Sequence, residues 1–189
     1  MRAVFAVACL ALLTACASLS EEECLSGDWG GIGQRDGASG RVAETQFARH
    51  VKACKKVGVT PARTDWQTGY ARGLQSYCTP SKGLDEGLAG RRYRNVCPAA
   101  TQAGFLRGFR IGTDDYQARQ EVRRLQSEID SLRARNTQIR AVLADADDAA
   151  LRTELRRNRS ALLRLHLDLG FARADAARTR RAVRNFSPG

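Results

Sequence analysis

The chain has 189 residues with a formal net charge of +11, 43 % hydrophobic residues and only 6 % aromatics. Its basic residues are mostly arginine, the lysines being Lys52, Lys55, Lys56 and Lys82 alone, and it holds six cysteines. After the N-terminal segment no stretch is apolar enough to span a bilayer, and the length suits one domain, or a small domain with an appendage.

Met1-Arg2 is a short positive start, and Ala3 to Leu13 is an apolar run of eleven residues. As a helix that run reaches only ~16 Å against a hydrocarbon core of ~30 Å, so it reads as a signal peptide rather than an anchor. Leu13-Thr14-Ala15-Cys16 resembles the bacterial lipobox. The resemblance implies removal of residues 1–15 and a diacylglycerol and an acyl chain on Cys16, enough chains for stable anchoring. An ordinary signal peptide with an incidental Cys is the competing reading. Ala17, where an Asp favours inner-membrane retention in Gram-negative lipoproteins, resembles the outer-membrane default. The expected location is therefore exported, lipid-anchored, and on the periplasmic face of the outer membrane. No other cofactor is expected.

Residues 16–23 read as a lipidated polar tether. Residues 24–112 hold Cys24, Cys54, Cys78 and Cys97, both tryptophans and most of the glycines. Four cysteines in an exported chain imply two disulfides. Three pairings are open, and Cys24–Cys54 with Cys78–Cys97 closes the smaller loops. A zinc site competes, but there is no CxxC pair and export favours oxidation; no metal is expected.

Within this region glycines recur four apart: Gly33 and Gly37, Gly69 and Gly73, Gly83 and Gly87, then Gly104, Gly108 and Gly112. Aromatics stand nearby: Trp29, Trp66, Tyr70, Tyr77, Tyr93, Phe105 and Phe109. Four-residue spacing puts glycines on one helical face, where two helices approach closely, though each interior Gly costs ~1 kcal/mol against Ala. Short helices of this kind are marginal alone, and disulfides worth ~2–4 kcal/mol each offset the deficit. β-Turns and short strands are the alternative. Predicted helices are Ala43–Val57, with Phe47, Val51 and Cys54 on one face and Gly58 at its end; Trp66–Tyr77, capped by Asp65; and one opened by Pro98 that carries Phe105 and Phe109.

Residues 113–185 have no Cys and a single Gly, Gly170. Val122, Leu125, Ile129, Leu132, Asn136, Ile139 and Leu143 follow a heptad alternation, which Leu155, Asn158, Leu162, Leu165 and Leu169 resume out of register. An antiparallel helical hairpin of ~40–50 Å is expected, with Asp147 or Asp148 capping its second helix, against the alternative of one kinked helix. Residues 186–189 are a tail. The predicted fold class is mainly α: a small disulfide-stapled, Gly-rich helical domain followed by a long antiparallel coiled-coil hairpin.

Charge concentrates on the hairpin, with 16 basic and 9 acidic side chains in residues 116–189 against 14 and 11 in residues 16–115. In a cytosolic protein this would point to nucleic acid; export argues against that and favours anionic lipid, acidic wall polymers or an acidic protein.

An ordered set runs along residues 24–112: Asp28-Trp29, Gly33, Asp36-Gly37, Gly40, His50, Cys54, Tyr70, Gly73-Leu74, Tyr77-Cys78, Gly87, Gly90, Tyr93, Cys97-Pro98, Phe105, Gly108 and Gly112. This pattern resembles a family of bacterial lipoproteins known as domain of unknown function 2799. The resemblance implies a location and a fold, not an activity.

The candidate polar and aromatic cluster is Asp28, Trp29, Asp36, His50, Trp66 and Tyr70. His50 and Cys54 share a helical face, but a Cys–His nucleophile needs a free thiol, and Cys54 is expected to be bridged. Asp28 and Asp36 flank Trp29 as paired carboxylates of glycoside chemistry would; the plainer roles are an N-cap for Asp28 and a turn for Asp36-Gly37. The tryptophans and tyrosines line a sugar groove on one reading and form the core on the other. There is no GxSxG, HExxH, P-loop or complete dinucleotide fingerprint. The expected function is a non-enzymatic interaction or scaffold protein of the envelope, meeting a protein partner or itself through residues 116–185. The alternative is a peptidoglycan-binding module using the Trp/Tyr-rich domain, and a third reading is an enzyme using His50. No catalytic residue is assigned.

Overall fold

A computed structural model describes residues 18–188; the expected signal segment and Cys16 lie outside the described residues. Among the described residues seven α-helices succeed one another: α1 Glu21–Ser26, α2 Trp29–Ala38, α3 Ala43–Cys54, α4 Arg63–Tyr77, α5 Pro80–Leu88, α6 Ala99–Asp145 and α7 Ala149–Arg184, with a 3-10 turn Lys55–Val57 closing α3. No strand occurs among the described residues. The glycine phrases therefore belong to helices, and the fold is mainly α as expected. The chain divides into two compact units: one reaching to Lys82 and taking in Tyr93–Ala103, the other Gly83–Arg92 with the chain from Gly104 onward.

In the first unit a capping box starts α1, Ser20 Oγ accepting from Glu23 N at 3.1 Å and Ser20 N donating to Glu23 Oε2 at 3.0 Å. Asp28 caps α2 by accepting from Gly31 N at 2.9 Å. α2 and α4 then pack backbone to backbone. A Cβ on Gly33 or Gly37 would lie 2.0 or 2.2 Å from the carbonyl oxygen of Trp66 or Tyr70; on Gly69 or Gly73 it would lie 1.9 or 2.2 Å from that of Gly30 or Gln34. Each helix thus presses its carbonyls into the glycine face of the other, a fit only hydrogen side chains permit. Trp29, Ile32, Phe47, Trp66, Leu74 and Tyr77 are buried.

Three local expectations change. On α3 the buried face runs through Phe47, His50 and Cys54, while Val51 is exposed, about 100° round the helix from His50. α4 begins at Arg63, so Asp65 sits inside the first turn, where its charge favours the helix dipole without capping. Asp36-Gly37 is not a turn: both residues are buried within α2.

The disulfides are Cys24–Cys54 and Cys78–Cys97, with Cα–Cα distances of 5.4 and 5.5 Å. Closing loops with sequence separations of 30 and 19 residues, each removes about 3–4 kcal/mol of unfolded-chain entropy.

In the second unit α5 packs on α6 in the manner of α2 on α4. A Cβ on Gly83, Gly87 or Gly112 would lie 2.1, 2.3 or 2.3 Å from the carbonyl oxygen of Phe105, Phe109 or Leu84. The correspondence extends residue by residue. Gly33, Asp36, Gly37, Gly40 and Arg41 match Gly83, Glu86, Gly87, Gly90 and Arg91; Trp66, Gly69, Tyr70, Gly73 and Tyr77 match Phe105, Gly108, Phe109, Gly112 and Tyr116. Both first helices end in the same C-cap. Gly40 and Gly90 take left-handed φ of 59° and 67°. Arg41 N donates to Asp36 O at 3.1 Å, and Arg91 N to Glu86 O at 3.0 Å. Tyr77 closes over Gly40 and Tyr116 over Gly90. A Cys precedes each helix of both pairs: Cys24 and Cys54 the first pair, Cys78 and Cys97 the second. Residues 24–116 are an internal duplication of one disulfide-tied helix pair.

α6 continues through residues 112–113 without a break, and its later turns form an antiparallel hairpin with α7. Leu125, Ile129 and Leu169 are buried together, with Val122, Leu162, Leu165 and Ala172 against them. Asn158 Nδ2 donates to Asn136 Oδ1 at 2.8 Å across the seam. Arg135 forks onto Glu154 at 2.8 and 2.9 Å, holding that carboxyl below its ordinary range. Ala146 to Asp148 make the turn with neither Gly nor Pro; Asp148 caps α7 by accepting from Ala150 N and Leu151 N at 2.8 and 3.0 Å. At 47 and 36 residues the helices run about 70 and 54 Å; α6 owes its extra length to its start at Ala99, inside the Gly-rich region. No described helix is long and apolar enough to cross a membrane.

Candidate functional site

The polar centre of the first unit is assembled by three helices. α2 contributes Asp36, α3 contributes His50, and α4 contributes Trp66 and Tyr70. Asp36 Oδ2 accepts from Trp66 Nε1 at 3.0 Å and faces His50 Nε2 at 2.7 Å. His50 Nδ1 lies 3.1 Å from Ser18 Oγ. Both ring nitrogens therefore face a hydrogen-bonding partner. His50 is 1 % exposed and Asp36 9 %. A carboxylate this deep is tolerable because hydrogen bonds replace its water.

Aromatic rings wall the centre. Trp66 stacks on Tyr70 at 5.0 Å between centroids and meets Phe47 at 5.2 Å, while the Arg63 guanidinium sits 5.1 Å over the Phe47 ring. The Tyr70 hydroxyl donates to Arg41 O at 2.5 Å. Burial, and then the negative charge of Asp36, push its pKa up to about 12.

Of the six residues singled out in the sequence, the structure brings together Asp36, His50, Trp66 and Tyr70. Asp28 stands apart as an exposed N-cap, and Trp29 is buried in the first turn of α2. The two aspartates are eight residues apart along one helix, about 12 Å of rise, beyond the ~5–9.5 Å that glycosidase carboxylates span. The Cys54 thiol is committed to Cys24. No group of three or more His, Cys, Asp or Glu side chains able to hold a metal occurs among the described residues.

Ser18 escapes sequence reasoning, because nothing in a tether marks one serine as a partner for a residue 32 positions away. Hydroxyl, imidazole and carboxylate stand in a relay order, but the imidazole is sealed in the core rather than facing a cleft. The matched position in the second helix pair clarifies the part the carboxylate plays. Glu86 is likewise buried, and it binds Arg91 Nη1 at 2.6 Å. In both copies the acid ties its helix to the next part of the chain, through His50 on α3 in one and through the C-cap arginine in the other. An open groove of about 630 Å³ lies elsewhere, along α6 and α7, lined by Asp114, Gln117, Glu121, Asp175, Arg178 and Thr179.

These features define a class: an all-helical, disulfide-tied domain of two glycine-faced helix pairs that continues into a helical arm. Residues 28–114 match the family described as Protein of unknown function (DUF2799). The match takes in both helix pairs and stops where the arm begins. No curated protein matches the chain. No solved structure matches it.

Proposed function

We propose that the protein is a lipid-anchored component of the cell envelope that acts by binding, with the α6–α7 hairpin as the element that engages a protein partner. One contrast carries this reading. The domain spends its chemistry on itself: one Asp36 oxygen takes Trp66 and His50, both His50 nitrogens are engaged, and all four cysteines are bonded. The arm instead carries the basic excess on its surface. Trp29, Trp66 and Tyr70 are buried, which favours their role as core over a glycan groove. The resemblance of Leu13–Cys16 to a lipobox supports tethering by acyl chains, and Ala17 supports the outer membrane as the site.

Photoreactive residues placed at Arg133, Arg140, Arg157 and Arg164 of the full chain in cells test this. A single dominant protein captured in a position-dependent way is expected. Capture of the chain itself alone would make the arm a self-association device, and capture of no protein would defeat the reading.

A further inference from the structure

The arm has a second apolar face. Leu163, Leu167 and Phe171 stand at i, i+4 and i+8 of α7 and are 67, 60 and 76 % exposed. The seam with α6 runs through Leu165 and Leu169, each two residues from Leu167. Two residues are about 200° of helical rotation, so the stripe lies on the side of α7 turned away from α6. Single exposed leucines are ordinary; anchors one turn apart ending in a phenylalanine are the pattern by which one helix reads another.

Gly170 lies within this face and is otherwise unexplained. An interior glycine weakens a helix, and a Cβ there would meet nothing within 4 Å. At Gly33, Gly37, Gly69, Gly73, Gly87 and Gly112 the same space is filled by the carbonyl of an opposing helix. Gly170 and the exposed Ala174, one turn on, leave a notch of that kind beside Phe171.

Charge selects the occupant. α7 bears ten arginines against Glu154, Asp168 and Asp175. Arg156 and Arg178 stand in line with the stripe at its two ends, and Arg159, Arg164 and Arg181 border it. Arg178 is paired with Asp175, whereas no ion pair found among the described residues takes Arg159, Arg164 or Arg181. A second copy docked antiparallel about Leu167 would set Arg156 against Arg178 of that copy, and a parallel one would set each arginine against itself. A bilayer surface calls for an apolar face running along the helix, not three side chains stopped at both ends by arginine.

We propose that Leu163, Leu167 and Phe171, with the Gly170–Ala174 notch, form the docking face for an amphipathic helix of a partner protein whose apolar stripe is flanked by Asp and Glu. This rests on the reading of the arm as the interaction element and names the partner's chemistry.

The test titrates the full chain with a labelled synthetic helix of three heptads carrying Leu at the a and d positions and Glu on both flanks. A peptide with the same leucines and Lys flanks is the control. We expect the acidic peptide to bind with one-to-one stoichiometry, more tightly at low salt, and to lose at least tenfold in affinity with Leu167→Glu. Gly170→Leu, which fills the notch from a position where a Cβ meets nothing within 4 Å, should lose as much while helical circular dichroism is unchanged. No binding by the acidic peptide, or equal binding by the lysine peptide, overturns the proposal. So does a Leu167-dependent dimer in sedimentation, or Leu167-dependent binding to vesicles of anionic phospholipid, since either gives the face another occupant. Photocrosslinks at Arg133 and Arg140 separate this from the broader reading. A partner captured there but not at Leu167 removes the docking face and leaves the arm's role standing; capture at none of the three removes both.

Discussion

Asp36 and Glu86 occupy the same place in two copies of one helix pair, and both are buried. What they hold differs. Asp36 satisfies two donors that have no water to turn to, Trp66 Nε1 and His50 Nε2, whereas Glu86 binds an Arg91 side chain that is 60 % exposed. Removing Asp36 strands both donors, and each stranded buried group costs about 1–3 kcal/mol. Asp36→Ala should therefore lower unfolding free energy by about 3–4 kcal/mol. Glu86→Ala lets Arg91, which is 60 % exposed, turn to solvent and should cost less than Asp36→Ala. Urea denaturation followed by circular dichroism measures both, and equal losses would contradict the asymmetry.

Tyr70 predicts an alkaline transition. Its phenol is held neutral by burial and by the charge of Asp36, with a pKa raised from 10.0 to about 12. Between these two values the folded chain keeps a proton that the unfolded chain has released, so stability falls as pH rises through that window. Below pH 10 the contribution is complete. Tyr70→Phe removes the titrating group along with its hydrogen bond to Arg41, so it should lower stability at pH 8 by about 1 kcal/mol while flattening the slope from pH 10 to 12. Melting temperature across pH 8–12 for both proteins checks this.

Much of this architecture is legible in the residues, for reasons that differ by region. The heptads of the arm announce themselves because the seam is simple: Leu125, Ile129 and Leu169 are apolar where they are buried, and Asn136 and Asn158 break the pattern at sites that meet. The four-residue glycine spacing identifies close helical contacts, but not which helix meets which, since any glycine face accepts any backbone. The duplication is faint in the sequence because only its glycines, aromatics and C-cap residues repeat, and the acid changes from Asp36 to Glu86. Asp36-Gly37 reads locally as a turn, and only the arrival of His50 and Trp66 from other helices makes a helical, buried aspartate favourable. The stripe at Leu163, Leu167 and Phe171 lies in view beside the seam leucines. Helical periodicity alone cannot say which of two apolar faces is covered.

Gly37 and Gly170 should respond to alanine in opposite directions. A Cβ on Gly37 would sit 2.2 Å from the Tyr70 carbonyl oxygen, and backbone cannot yield as the tip of a side chain can. Gly37→Ala must force α2 and α4 apart, at a cost of about 2–3 kcal/mol or more, in the manner of an overpacked core. Gly170 has open space, so Gly170→Ala should gain up to about 1 kcal/mol of helix stability. Thermal denaturation of the two variants gives the signs directly. A tolerated Gly37→Ala would mean the two helices do not meet backbone to backbone.

Asn136 and Asn158 make the hairpin's sharpest polar decision. Asn136 is 4 % exposed and is bonded to Asn158 at 2.8 Å in an otherwise apolar seam. A single Asn136→Leu leaves the half-buried Asn158 without its seam partner, which should offset the gain from the leucine and leave stability unchanged or lower by about 1 kcal/mol. The double change Asn136→Leu with Asn158→Leu removes both polar groups together and should raise stability by about 1–2 kcal/mol, because replacing a matched buried pair is far cheaper than orphaning half of it. The accompanying loss is register. Without the paired amides the remaining leucines and isoleucines allow α7 to slide along α6, the role a buried asparagine has in coiled coils. Spin labels at Arg140 and Arg157, read by dipolar spectroscopy, should give one narrow distance in the native chain and a broadened or split distribution in the double variant. A distribution that stays narrow would assign register to the Arg135–Glu154 fork instead.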